Sequence, residues 1–163
     1  MWYNDPDVGN ARAHRRLGYS FMFWGEYSHQ LDDKGRLIIP IRYRSYLMPQ
    51  AVLTRGLDHN LVIYPHEAWR TLAEHLNQMP ITHPPARALR RLLFSGAVEL
   101  SLDRQGRMLI PGYLRDYASL DTEVLMAGME TYVELWEPAH WQATLNDVSQ
   151  SLAEAQQLLK LSI

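Results

Sequence analysis

The chain has 163 residues, of which 47% are hydrophobic and 21% are charged, a composition typical of a soluble globular protein. It has no cysteine, which excludes a disulfide framework and a thiolate zinc site and favours an intracellular location. No apolar run reaches the length of a membrane span, and the N-terminal residues lack the pattern of a signal peptide. We therefore expect a cytoplasmic protein without a membrane partner.

The first predicted unit, residues 26–69, begins with two strand-like segments around a short glycine-containing turn. Glu26–Asp32 and Leu37–Ile39 flank that turn, which predicts a β-hairpin. Pro40 then ends the strand and suits the start of a short helix. A second strand pair and a helix opened by proline follow, with predicted bounds Ala51–Thr54, Leu61–Tyr64 and Pro65–Gln78.

The same order of elements is predicted for the second unit, residues 97–141. Residues 70–96 connect the two units through a proline-rich break and a short basic helix over Ala86–Phe94. Residues 142–163 form a C-terminal tail whose apolar spacing fits either an amphipathic helix or a disordered end. The predicted strands of the second unit are Ala97–Asp103, Met108–Ile110, Glu123–Ala127 and Tyr132–Trp136.

A ten-residue segment occurs twice in this chain, since Leu31–Pro40 returns 71 positions later as Leu102–Pro111 with few changes. Two copies at this spacing do not fit a solenoid, which needs three or more stacked units. A unit of about 45 residues buries too little surface to be stable alone. We therefore predict a mixed, β-rich α/β fold in which two units form a pseudo-twofold pair, with their hairpins interleaved around a shared core.

The repeated turn carries the most specific chemistry in the chain. Gly35 and Gly106 occupy the position where a tight turn needs a positive φ. Asp32 and Asp103 can accept hydrogen bonds from backbone N–H groups about two residues on and so fix the turn. Cations beside such a turn are well placed to recognise phosphates or guanine edges. The alternative is an internal Asp–Arg ion pair that only stabilises the hairpin. The candidate DNA-binding cations are Lys34, Arg36, Arg104 and Arg107.

Charge is distributed unevenly along the chain. Residues 32–115 hold twelve Lys or Arg and seven Asp or Glu, a balance of +5. Residues 116–163 hold one Lys and eight Asp or Glu, a balance of −7. A basic face for nucleic acid is therefore compatible with the overall charge of −2, and solvated arginines on helix faces are the alternative.

No catalytic or metal-binding constellation stands out. Asp32 and Asp103 invite comparison with an aspartic dyad, but each is followed by cations where a dyad needs apolar or hydroxyl-bearing neighbours. The histidines show no metal-ligand spacing, and neither a nucleophile elbow nor a phosphate-binding glycine loop occurs. The sequence predicts no enzyme, no cofactor and no metal site.

Five segments and their spacing carry a resemblance to a known family. They are Met22–Tyr27, Leu31–Arg36 with Ile39–Pro40, Leu53–Asp58, Arg90–Ala97 and Asp103–Arg107. On these segments, residues 22 to about 147 resemble the bacterial MraZ proteins, which consist of two units of the SpoVT-AbrB class. The likeness covers about three quarters of the chain, and paired Asp-x-x-x-Arg motifs in this setting are highly specific for that family.

The resemblance implies AbrB-like units with swapped hairpins that assemble into a ring-shaped homo-oligomer. It also implies a sequence-specific DNA-binding regulator, associated with the nucleoid in the cytoplasm, at repeated promoter elements of the division and cell-wall gene cluster. Arg36 and Arg107 would be the DNA-contacting positions, with Lys34 close by. The second copy has Gln105 where the first has Lys34, so the two turns need not contribute equally.

Residues 1–21 lie outside this family pattern and are predicted to form an N-terminal extension. The favoured interpretation is a start codon chosen too early, with Met22 as the true beginning. The alternative is a flexible basic arm built on Arg12, Arg15 and Arg16.

A second function stays open at this point, an assembly or protein-interaction module without direct DNA contact. Related AbrB-like units often serve mainly to dimerise. The acidic residues 116–163 could then pair with the basic half of a neighbouring subunit across a ring contact.

Overall fold

The computed structural model describes residues 23–160, which form eight strands and five helices. The predicted extension, residues 1–21, lies outside the described residues, so both interpretations of it stay predictions. The strands are β1 (Glu26–Gln30), β2 (Arg36–Ile38), β3 (Ala51–Arg55), β4 (Leu61–Pro65), β5 (Val98–Glu99), β6 (Arg107–Leu109), β7 (Glu123–Gly128) and β8 (Val133–Trp136). The helices are α1 (Ile41–Leu47), α2 (His66–Gln78), α3 (Pro84–Gly96), α4 (Gly112–Tyr117) and α5 (Pro138–Lys160).

The strand order of the main sheet reflects the duplication. Its six strands follow the order β1-β7-β8-β4-β3-β5. Replacing every strand by its counterpart in the other unit gives the same order read backwards, as a pseudo-twofold axis between β8 and β4 requires. The first strand of each unit lies at the edge of the sheet against a strand of the other unit, β1 on β7 and β5 on β3. The predicted mixed α/β fold with two duplicated units is confirmed.

The second sheet is a two-stranded antiparallel ribbon made of β2 and β6, one strand from each unit. Leu37 pairs with Met108 at its centre, and both side chains are buried. Ile39 N donates to Gly106 O at 3.0 Å, and Ile110 N donates to Gly35 O at 2.9 Å. These bonds join each end of the β2–β6 ribbon to one of the repeated turns.

The predicted hairpins exist as turns, but most of their strand pairing crosses between the units. Asp32 N donates to Arg36 O at 3.0 Å and closes the first turn. Beyond that turn, β1 pairs with β7 and β2 pairs with β6. In the second unit a single isolated bridge, Leu102 with Met108, continues past the turn. The pairing of β2 with β6 brings the apolar side chains of Leu37 and Met108 together in the buried interior, where hydrophobic burial stabilises the exchange.

One hydrophobic core is shared by both units. Its members come from the main sheet, the β2–β6 ribbon and helices α1 and α4. Repeat counterparts enter it in pairs, such as Ile39 with Ile110 and Leu37 with Met108. The main core therefore depends on both units, and a smaller cluster of Ala127, Trp136 and Trp141 lies within the second unit.

The longer helices flank this core. Trp141 of α5 is buried and packs against Trp136, with ring centroids 5.4 Å apart. Trp69 of α2 packs edge-to-face against Phe94 of α3 at 5.8 Å. The tail, for which helix and disorder were both open, is helical as far as Lys160. Between residues 23 and 160, no helix has the length and apolar character that crossing a membrane would need.

Candidate nucleic-acid interface

The first repeated turn, Asp32–Arg36, is organised by its aspartate. Asp32 Oδ1 accepts hydrogen bonds from the backbone N–H groups of Lys34 at 3.0 Å and Arg36 at 2.9 Å. Asp32 Oδ2 accepts a third bond from Arg36 Nε at 2.7 Å. Gly35 has a φ of +74°, a conformation that side chains with a Cβ rarely adopt. One carboxylate thus holds both the backbone of the turn and the side chain of its arginine.

The second turn, Asp103–Arg107, repeats this network bond for bond. Asp103 Oδ1 accepts from Gln105 N at 2.9 Å and from Arg107 N at 3.0 Å, and Oδ2 accepts from Arg107 Nε at 2.8 Å. Gly106 has a φ of +76°. The same local sequence, Asp-x-x-Gly-Arg, therefore gives the same geometry in both units.

The two motif arginines differ in how far they are engaged. Arg107 also reaches across the ribbon, where its Nη1 lies 3.4 Å from Asp32 Oδ2. Its side chain is 23% exposed, compared with 30% for Arg36. Arg107 bridges the two aspartates, whereas Arg36 is held by Asp32 through Nε.

Both turn aspartates are stabilised as carboxylates. The pKa of Asp32 lies below its ordinary value, chiefly because the backbone N–H of Arg36 donates to the carboxylate, with partial desolvation opposing the shift. The pKa of Asp103 is lowered in the same way by the backbone N–H of Arg107. A dyad that shares one proton needs one raised pKa, so this arrangement does not resemble an aspartic dyad.

Each turn is also covered by an arginine of the other unit, which the sequence reasoning did not assign to the site. Arg44 Nε donates to Ile39 O at 2.8 Å, and its guanidinium lies where a Cβ on Gly106 would be. Arg115 likewise lies against Gly35, with Cζ 2.9 Å from the position of a Cβ there. Arg44 and Arg115 are repeat counterparts 71 residues apart, and that spacing was the available signal.

Four other arginines between residues 34 and 98 donate hydrogen bonds to main-chain carbonyl oxygens and so support the fold. Arg90 donates to the carbonyl oxygens of Leu76, Asn77 and Met79 and so caps the end of α2. The remaining members of this group also donate to main-chain carbonyl oxygens. They are Arg42 to Trp24 O, Arg55 to Leu92 O and Arg87 to Ile81 O and Thr82 O.

Two of the predicted cations point to solvent from the tips of the turns. Lys34 and Arg104 are exposed, and within the part of the chain that the structure describes their side chains make no hydrogen bond or ion pair. The predicted set of four cations therefore divides into two exposed tips and two arginines ordered by aspartates. All four lie at the ends of the same β2–β6 ribbon.

The outer face of the ribbon carries the motif arginines in cross-strand register with apolar residues. Arg36 lies opposite Leu109, and Ile38 lies opposite Arg107. From Gly35 to Ile39 the ribbon spans about 13 Å at about 3.3 Å per residue. The major groove of B-DNA, which is about 12 Å wide, admits a two-stranded ribbon.

A family profile described as "MraZ protein, putative antitoxin-like" matches the chain twice, over residues 22–92 and 93–161. Each match contains one of the two repeated turns. The chain belongs to the MraZ family. The resemblance inferred from the sequence is thereby confirmed.

Curated relatives support the same assignment. "Transcriptional regulator MraZ" of Herpetosiphon aurantiacus is 48% identical over 136 residues, which cover 82% of this chain and 95% of the relative. The protein of the same name from Moorella thermoacetica has the same identity and coverage. That of Thermomicrobium roseum is 48% identical over 122 residues, 75% of this chain and 86% of the relative. Family membership identifies a transcriptional regulator rather than an enzyme, as the sequence predicted.

Proposed function

We propose that this protein is a sequence-specific DNA-binding transcriptional regulator that contacts DNA through its two arginine-bearing turns. The supporting observation is that the β2–β6 ribbon brings both turns to the ends of one exposed surface. Lys34 and Arg104 are free there to meet phosphates, and Arg36 and Arg107 are ordered beside them.

The ion pairs with the aspartates are compatible with DNA contact. Arg36 uses Nε to bond Asp32, and in the described chain its two terminal nitrogens have no hydrogen bond. A guanidinium held through Nε keeps a fixed orientation and can present its terminal N–H groups to a guanine edge or a phosphate. Prior ordering of this kind reduces the entropy lost on binding.

We further propose that several subunits act together. One subunit presents two turns, which is too few contacts for tight specific binding at physiological salt. A ring-shaped homo-oligomer, as the family resemblance implies, would align several turns with repeated DNA elements and gain affinity through avidity. The site of action would be the promoter of the division and cell-wall gene cluster, on the nucleoid in the cytoplasm.

Fluorescence anisotropy with labelled DNA tests this proposal. The purified full chain is titrated against the DNA upstream of its own gene and against a shuffled duplex of equal length, at two salt concentrations. We expect tighter binding to the upstream DNA and a clear loss of affinity at higher salt. Arg36→Ala should weaken binding, whereas Arg70→Ala is a matched control, since Arg70 is exposed on α2 and paired with Glu74. Equal affinity for both duplexes contradicts sequence-specific recognition.

An assembly module without DNA contact is the second candidate. It is favoured by the fact that Arg36 and Arg107 are already ion-paired within the subunit. In that case Arg36→Ala would lower the melting temperature or the mass measured by light scattering, and any DNA affinity would follow the folded fraction alone. A stable monomer at working concentrations would exclude this candidate and the proposed ring together.

A further inference from the structure

The outer face of the β2–β6 ribbon exposes two large apolar side chains beside the motif arginines. Ile38 is 45% exposed and Leu109 is 60% exposed, although their strand neighbours Leu37 and Met108 are buried. Ile38 and Leu109 are also repeat counterparts, 71 residues apart. Apolar residues exposed at equivalent places in the two repeats form a surface that a partner can cover.

The register of the ribbon restricts what that partner can be. Ile38 lies directly opposite Arg107, and Leu109 lies directly opposite Arg36. Side chains in such cross-strand pairs have Cβ atoms about 4.5–5.5 Å apart. A partner that covers Ile38 therefore meets Arg107 as well, and it must offer an apolar group next to a hydrogen-bond acceptor.

The major groove of DNA offers this combination. Thymine presents a C5-methyl group there, and guanine presents the O6 and N7 acceptors that arginine recognises. A second protein chain fits less well, because the carboxylates that would attract these arginines are already supplied by Asp32 and Asp103. Neutral base edges can use the terminal nitrogens of Arg36 without displacing Asp32.

We propose that Ile38 and Leu109 are specificity-determining residues that contact the C5-methyl groups of thymines in the major groove. Each apolar residue reads a thymine close to the base edge met by the arginine opposite it on the ribbon. This inference rests on the proposed DNA-binding function. It adds that thymine is among the bases recognised, through its methyl group. The pseudo-twofold symmetry of the ribbon places one such pair of contacts at each end.

Removal of the methyl group from the DNA tests the proposal. The duplex upstream of the gene is prepared once with thymine and once with uracil throughout, and affinities are measured for the native chain and for Ile38→Ala, Leu109→Ala and the double variant. The native chain should bind uracil DNA more weakly, by about fourfold for each methyl contact. The double variant should bind thymine DNA more weakly and lose the discrimination between the two duplexes.

Two further variants keep this test specific. Leu57→Ala removes an equally exposed leucine, 64% exposed, from the loop between β3 and β4, and it should discriminate as the native chain does. Ile38→Val should fall between the native chain and Ile38→Ala. Because uracil also alters the shape of DNA, the measured quantity is the difference in discrimination between native chain and variant.

Three outcomes would overturn the inference. Equal affinity of the native chain for both duplexes would do so, and so would a double variant that keeps the native discrimination. A smaller mass of the double variant in light scattering, with discrimination unchanged, would assign the face to a second copy of the chain. In each case specific binding to the upstream DNA would survive, whereas a native chain that binds shuffled DNA equally well refutes the proposed function itself.

Discussion

The two repeated turns have the same backbone conformation but differ in net charge and in the contacts of their arginines. The first turn has Asp33 and Lys34 where the second has Arg104 and Gln105, so residues 32–36 are neutral and residues 103–107 carry +1. In the first turn Arg36 is held by its own aspartate, whereas Arg107 of the second bridges both aspartates. The second turn has more net charge, and the first has the less engaged arginine.

The difference shows which positions the turn itself requires. Aspartate, glycine and arginine are identical in both copies, and they make the hydrogen bonds and adopt the positive φ that form the turn. The two positions between aspartate and glycine have exposed side chains that support nothing in the fold, and there the copies differ. We expect Arg36 to contribute more to base recognition and the second turn more to attraction of phosphates.

Replacement of the motif arginines should have the largest effect and separates their roles. Arg36→Ala should cost about 1–3 kcal/mol of DNA-binding free energy per contact. Its loss of folding stability should be small, because Asp32 keeps its ion pair with Arg107. Arg107→Ala should weaken binding and also lower the melting temperature, since both aspartates lose a partner. DNA affinity at two salt concentrations and thermal melting measure the two effects. If both variants melt early and bind as their folded fraction predicts, the arginines are structural supports only.

Alanine at the two turn glycines should have the next largest effect. A positive φ costs a residue with a Cβ about 1–3 kcal/mol of folding stability. Gly106→Ala should destabilise more than Gly35→Ala, because its Cβ would overlap the guanidinium of Arg44 more deeply than a Cβ on Gly35 would overlap that of Arg115, and main-chain carbonyl oxygens hold both arginines in place. Urea denaturation measures both, with Gly112→Ala as the control because a Cβ there has its nearest neighbour at 3.7 Å. An equal loss at Gly35 and Gly112 would contradict this explanation.

Replacement of the turn aspartates by asparagine tests the same difference between the two turns through the partners of the arginines. Asp32→Asn should lower the melting temperature more than Asp103→Asn, because Asp32 bonds two arginines and Asp103 bonds one. Thermal melting at low salt, where ion pairs contribute most, is the measurement. Equal losses for the two variants would show that the contact between Arg107 and Asp32 adds no stability.

The pH dependence of stability distinguishes the turn aspartates from Glu134 of β8. The lowered pKa of Asp32 and Asp103 means that their stabilisation is present above the ordinary aspartate pKa and is lost as the pH falls through the lowered value. Burial raises the pKa of Glu134, so its contribution is complete below the ordinary glutamate pKa and is lost as the pH rises through the raised value.

Glu134→Gln should therefore melt at a higher temperature than the native chain at neutral pH, and the two should converge near pH 4, which is about the ordinary glutamate pKa. The hydrogen bond from Trp136 Nε1 to Glu134 Oε2, 2.9 Å long, can be kept by the amide oxygen. Melting curves at several pH values measure this. A constant difference between the two proteins at every pH would count against the raised pKa.

Exchange of the tip residues should have the smallest effect. Lys34→Gln should reduce the salt dependence of DNA binding, and Gln105→Lys should increase it, by roughly one in the logarithmic salt slope for each phosphate contact in a subunit. The melting temperature should not change, because neither side chain has a bond within the described chain. Unchanged slopes in both variants would show that the tips do not touch phosphates.

The sequence alone predicted the features that depend on neighbouring residues. The turns followed from glycine at the position of positive φ and from aspartates that bond backbone N–H groups a few residues away. The strand pairs β3–β4 and β7–β8 and the proline-opened helices were also local patterns, and the duplication was visible as a repeat at 71 residues. The family followed from short segments such as Leu31–Arg36, and the profile matches confirm it.

Tertiary structure decided which strands pair and which side chains face outward. The run Leu37-Ile38-Ile39 is apolar throughout, and only its pairing with β6 turns Ile38 to the surface while its neighbours enter the core. The contact of Arg107 with Asp32 and the packing of Arg44 on Gly106 join residues of different units. Such contacts depend on how two apolar surfaces fit together, because hydrophobic burial is non-directional and the sequence pattern does not specify its partner.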